Sequence, residues 1–142
     1  MLTRRSKRNK DKSMVGLVEV VEIIGEKGSV RKKALLDTGA TRSSVDVKVA
    51  AKAGIGPIIS SVKIKNASSN ANGATSYTRR AVAEARIKLK GKIVKTGVNI
   101  VDRQGLPYAI LIGRDVIHDN FLIDVSRTHK SYKVGDLKDG KK

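Results

Sequence analysis

Short runs of β-branched and aliphatic residues, each closed by a polar or glycine turn, recur along almost the whole chain. Val15 to Ile24 is mostly apolar, broken by Glu19 and Glu22, and predicts a strand. Gly25-Glu26-Lys27-Gly28 predicts a turn, and Ser29 to Leu36 the returning strand. Ile58 to Lys65 and Tyr77 to Lys90 alternate apolar with polar residues, as half-buried strands do. Asn72-Gly73 between them is a strong hairpin-turn signal. A second hairpin is predicted from Ala81–Leu89 through Gly91-Lys92 to Ile93–Val101. Tyr108 to Ile112 is a fully apolar strand running into Gly113, and Arg114 to Asp119 predicts a brief helical turn. Phe121 to Val125 and Ser131 to Val134 predict two closing strands. Val45, Val49 and Ala53 break the pattern with helical spacing; Ser43 or Ser44 is placed to cap that helix, and Gly54 with Gly56-Pro57 to end it. Eight or nine short strands with one or two short helices imply an all-β closed barrel or folded sheet, not alternating βα units.

At 142 residues the chain suits one domain. Aromatics number four (Phe121, Tyr77, Tyr108 and Tyr132), so the core must come from Val, Ile, Leu and Ala. No run approaches the length of a membrane span and no signal peptide opens the chain, so a soluble, cytoplasmic protein is expected. The absence of cysteine excludes disulfides, thiolate metal sites and Cys nucleophiles. Two histidines, His118 and His129, lie outside any His-Glu-x-x-His pattern, and no metal or cofactor is expected. The net charge is +17. Residues 1–12 hold six basic residues and one acidic, leaving +12 on the rest, so the whole domain attracts anions. Residues 1–13 read as a disordered basic arm, 14–135 as the folded domain, and 136–142 as a frayed basic tail.

Chemistry is best placed at Ala34-Leu35-Leu36-Asp37-Thr38-Gly39-Ala40, where an apolar strand delivers a carboxylate into a tight turn and Gly39 permits close backbone approach. By itself Asp-Thr-Gly is a weak signal, because Asp and Gly are common turn residues. The second element is Ile110-Leu111-Ile112-Gly113-Arg114-Asp115. An apolar strand, Asp-Thr-Gly, a mid-chain hairpin and an apolar run ending in Gly-Arg-Asp together resemble the retropepsin-like aspartic proteases over residues 15–135. The pattern is similar to a prokaryotic group found near ATP-grasp glutamate ligases and often labelled "ATP-dependent zinc protease". Leu35 to Ala40 with Ser43-Ser44 carries that likeness, as do Asp102-Arg103, Leu111 to Arg114 and Phe121 to Asp124. The residues supply neither a Gly-x-x-x-x-Gly-Lys-Ser/Thr loop nor a set of zinc ligands to match the label.

The resemblance implies a retropepsin-like fold and an aspartic endopeptidase with no cofactor. Two carboxylates must share one proton, one activating water and the other protonating the scissile carbonyl. The chain has one Asp-Thr-Gly, and Asp115, Asp119 and Asp124 lack that context, so the resemblance implies a homodimer with Asp37 on its axis. Thr38 would then bond across the dimer, and Gly39 and Ala40 would complete the loop. Gly113 would let the apolar strand pass behind it. Residues 66–78, with Asn72 and Gly73, would be the flap.

Retroviral enzymes carry an Asp after Asp-Thr-Gly-Ala that pairs with the Arg of Gly-Arg, but here Thr41 and Arg42 occupy those positions. Arg114 then needs another acceptor, Asp102 or Asp46. Arg42 near Asp37, with Arg79 and Arg80 after the flap, makes a cationic cleft that favours acidic or glutamate-rich peptides. The alternative is a basic RNA- or ribosome-binding dimer on a non-catalytic retropepsin scaffold, with residues 4–12 making the contact. The scarcity of aromatics disfavours an oligonucleotide-binding barrel.

Overall fold

The alternating runs pair as the sequence predicts, and they close on themselves. The structure, a computed structural model, describes residues 8–65 and 77–127. β2 (Val18–Gly25) and β3 (Gly28–Leu36) form the first hairpin, in register from Val18 opposite Leu35 to Gly25 opposite Gly28. β6 (Tyr77–Leu89) and β7 (Lys92–Val101) form another, turning at Lys90-Gly91. β8 (Ile110–Ile112) lies parallel to β3, and β4 (Ser44–Asp46) fits between β8 and β7. Pairing of Ile23 on β2 with Ile87 on β6 closes a six-stranded barrel in the order β2-β3-β8-β4-β7-β6. The retropepsin-like all-β barrel with two short helices is thus the architecture present.

β5 (Ile58–Lys65) lies outside that ring, paired only to the first half of β6. The two make a ribbon projecting from the barrel. The turn predicted at Asn72-Gly73 lies outside the described residues, as does the strand predicted at Ser131 to Val134.

The interior is aliphatic, as four aromatics require. Val21, Ile23, Ala34, Leu36, Ile87 and Ile112 are buried in one cluster, with Phe121 at its end. α1 (Val47–Ala53) packs Val49, Ala50 and Ala53 onto it. Its cap is neither Ser43 nor Ser44 but Asp46, whose carboxylate accepts from Lys48 N at 2.9 Å. The two serines are buried instead: Ser44 in β4, Ser43 just before it. A cap of this kind contributes about 1 kcal/mol.

The single strand predicted over Val15 to Ile24 is two. Gly16 N donates to Glu19 Oε2 at 2.7 Å and Leu36 N donates to Leu17 O at 2.9 Å, which turns the chain between them. β1 (Ser13–Val15) leaves the barrel and pairs in parallel with β9 (Phe121–Ile123). Residues 8–13, assigned from sequence to a disordered arm, carry a 3-10 turn over Asn9–Asp11 and the first residue of β1. Lys92 Nζ ties this segment down by donating to Asp11 O and Asn120 O. Among the described residues no helix is long and apolar enough to cross a membrane.

Candidate active site

β3 delivers Asp37 to the barrel rim, and β8 fixes where it stops. The pairing of Leu36 with Ile112 continues one residue further through Asp37 N donating to Ile112 O at 2.8 Å. The chain then turns, with Ala40 N donating to Asp37 O at 3.1 Å. Gly39 N donates to Asp37 Oδ1 at 2.9 Å and so orients the carboxylate. A Cβ on Gly39 would lie 3.2 Å from that same oxygen, tight enough to push it away. Asp37 is half-exposed, and Thr38 and Gly39 are exposed, so the loop offers a carboxylate to solvent from a rigid base.

The Gly-Arg-Asp segment supplies that base. Gly113 passes so close behind the loop that a Cβ there would meet Ala40 O at 2.8 Å and Arg42 C at 2.8 Å. Arg114 N donates to Ala40 O at 2.8 Å, and Gly113 N donates to Ser43 Oγ at 2.9 Å. Two tight turns distant in sequence are thereby locked together.

Arg114 corrects an expectation. Its guanidinium binds no carboxylate among the described residues but donates through Nη2 to Thr41 Oγ1 at 2.9 Å. Asp46 is engaged by Lys48 N and Arg103 N, and Asp102 by Gln104 N. Arg114 is exposed, so water solvates its charge and no buried counter-ion is required. Thr41 therefore answers the arginine where retroviral enzymes use a carboxylate.

Asp115, set aside in the sequence for want of a Thr/Ser-Gly context, anchors the site. Its carboxylate accepts from Ser43 N at 3.0 and 3.1 Å, from Ser43 Oγ at 2.7 Å and from Thr96 Oγ1 at 3.3 Å. Ser43 is fully buried and passes the contact on, because its Oγ also accepts from Gly113 N. Gly-Arg-Asp plus a serine six residues past Asp37 was the only local signal for this network. We expect Asp115→Ala to cost about 2–4 kcal/mol, since it strands buried donors. Asp115→Asn should recover part of that loss. Denaturant unfolding of the two variants beside wild type measures both.

The remaining predicted residues are dispersed. Arg42 is half-buried and donates through Nη1 to Gly97 O at 3.3 Å. Arg79 is exposed on the ribbon and donates to Ser61 Oγ at 3.4 Å. Asn72 and Gly73 lie outside the described residues. His118 is exposed beside Asp119, at 3.5 Å. Among the described residues no three His, Cys, Asp or Glu side chains gather to hold a metal ion.

A closed six-stranded barrel with an Asp-Thr-Gly loop seated on a Gly-Arg-Asp turn defines a retropepsin-like protein. The family model described as RimB-like, retropepsin-like aspartic endopeptidase RimB, matches residues 48–133. The chain belongs to that family. Its matched span begins beyond Asp37, so the loop rests on the geometry above. Among solved structures, a Legionella pneumophila protein of unknown function is similar in fold, at TM-score 0.56 and 24% identity. The match covers 84% of this chain and 98% of that one. Simian foamy virus protease aligns at TM-score 0.47 and 20% identity, over 70% of this chain and 91% of its own. EIAV protease, solved with an inhibitor, aligns at 0.44 and 20%, over 70% and 83%. No curated protein sequence matches the chain.

Proposed function

We propose that the protein is a homodimeric aspartic endopeptidase in which the Asp37 carboxylates of two copies activate one water between them. The observation that carries this reading is the Asp37 loop itself. It presents a half-exposed carboxylate held by Gly39 N and braced from behind by Gly113, Ser43 and Asp115. General acid–base hydrolysis needs two such groups at opposite ends of one proton transfer. One loop per chain supplies one of them, and two-fold symmetry supplies the second at the same height. Thr38, exposed beside Asp37, would bond across that axis in this reading. Residues 66–78, running from β5 into β6, serve as the flap in this reading, closing over the peptide and excluding water.

Within the same reading the substrate is acidic. Arg42 and Arg79 carry the cleft's positive charge, and the chain as a whole carries +17. The test is digestion of a mixed peptide library by wild type and by Asp37→Asn, with product masses recorded. Peptides cut next to Glu are expected to be cut at least about tenfold more slowly when Glu becomes Gln, the usual scale for losing a charge-assisted contact. Equal rates for the Glu and Gln peptides would remove the acidic preference while leaving the peptidase reading intact. No cleavage by a verified dimer would remove the peptidase reading.

A further inference from the structure

A basic cleft lies away from the Asp37 loop, on the outer side of β3. Arg31, Lys32 and Lys33 of β3, Lys48 of α1 and Arg103 of the loop after β7 line one cavity of about 520 Å3. Asp46 is its single lining carboxylate, and both of its oxygens already accept backbone hydrogens, from Lys48 N and Arg103 N. Arg103 is fixed in the wall, its Nε donating to Tyr108 O at 2.7 Å. Burial pushes its guanidinium below the usual arginine range, with Asp46 opposing that shift and Arg80 adding to it. A second cavity of about 250 Å3 adjoins the first through Val20 and Arg31 and adds Lys88 and Lys90. Glu22 lines it as well, and Lys90 leans on Glu19 at 3.7 Å.

We propose that this tract seats the phosphodiester backbone of a double-helical nucleic acid. The reading goes beyond the peptidase function and does not depend on it. The tract runs over β3, β2 and β6, three neighbouring strands, with Lys48 of α1 and Arg103 of the loop after β7 at its β3 end. At about 4.8 Å per strand the three strands span roughly 10 Å, and Lys48 and Arg103 carry the charge beyond β3, enough to meet several successive phosphates of one backbone. Five of its seven cations are lysines, point charges suited to phosphate oxygens, whereas carboxylates are best gripped by free guanidinium forks. None of the lining residues is aromatic, so unstacked bases find no platform and a duplex is favoured over a single strand.

The experiment is fluorescence anisotropy of the full chain with labelled RNA and DNA duplexes, single-stranded RNA and polyglutamate, over a salt series. Duplex binding is expected, with a slope near −0.9 per phosphate contact; five contacts would lose roughly a few hundredfold for a fourfold rise in salt. Lys32→Ala with Lys48→Ala should weaken duplex binding at least about tenfold and lower the slope by about two. Lys27→Ala with Lys95→Ala removes the same charge at cavities beside the β2–β3 turn and should change affinity less than about threefold. Asp37→Asn should bind as wild type does. Thermal melts of each double variant verify that the fold is kept. RNA and DNA duplexes bound alike identify the backbone alone, and a preference for one adds groove shape; either outcome supports the site. Equal losses in the two double variants would overturn it, as would tighter binding of polyglutamate or single strands, or no duplex binding at low salt.

Discussion

If the protein is the homodimeric peptidase proposed above, Asp37→Asn is expected to lower peptide cleavage by roughly three to four orders of magnitude while leaving the oligomeric state and the fold unchanged. The amide keeps an oxygen for Gly39 N, whose 2.9 Å bond orients the native carboxylate, so the loop has no reason to move. What it loses is the shared proton, because an amide neither takes one from water nor returns one to the scissile carbonyl. Mixing the variant with wild type sharpens the expectation. If catalysis needs Asp37 from both copies, activity after subunit exchange falls as the square of the wild-type fraction, so an equal mixture retains about a quarter. If each copy works independently, activity falls in proportion, and if one Asp37 per dimer suffices, an equal mixture retains about three quarters. A linear titration would therefore defeat the shared-carboxylate mechanism even though the single variant is inactive.

Gly113→Ala is the second large effect, and it acts on stability. The added Cβ meets backbone on two sides, Ala40 O at 2.8 Å and Arg42 C and O at 2.8 and 2.9 Å. None of these can swing aside as a side-chain tip would. Ala40 O is bonded to Arg114 N, and Gly113 N to Ser43 Oγ, so relief of the clash breaks the bonds that seat the Asp37 loop. We expect a loss of at least about 2–3 kcal/mol, or roughly 10 °C in Tm for a domain of this size. Gly91→Ala is the control, because nothing lies within 4 Å of its Cβ position. It carries only the left-handed backbone penalty at φ 79, about 1 kcal/mol. Equal melting temperatures for the two variants would mean that the loop tolerates displacement and that Gly113 is an ordinary turn residue.

The hairpins were legible because strand alternation and turn chemistry are local, and β2–β3 and β6–β7 formed where they were read. The Asp37 turn and the Gly113 approach were legible through their resemblance to a known pattern. β4 was not, since three buried residues running straight into a helix share its spacing, and the helix took Asp46 as its cap. Arg114 was assigned a carboxylate because burial was assumed, and solvent exposure removed the need. Asp115 was passed over because its partners, Ser43 and Thr96, are 72 and 19 residues away in the chain. The basic cleft was invisible for the same reason: positive charge was plain in the composition, but its convergence from β3, α1 and a loop is a property of the closed barrel.

β6 is one strand with two employments. Its residues Arg86 to Lys88 hold the barrel shut against β2, Ala81 to Ala83 pair with β7 on one side and β5 on the other, and Tyr77 to Arg80 pair with β5 alone. Selection can therefore act on the two halves under different rules. Substitutions near Ile87 alter whether the protein folds at all, whereas changes before Ala81 alter what the ribbon meets. A lineage can then explore new partners through the projecting half without risking the barrel, and the boundary between tolerance and constraint falls inside a single unbroken strand.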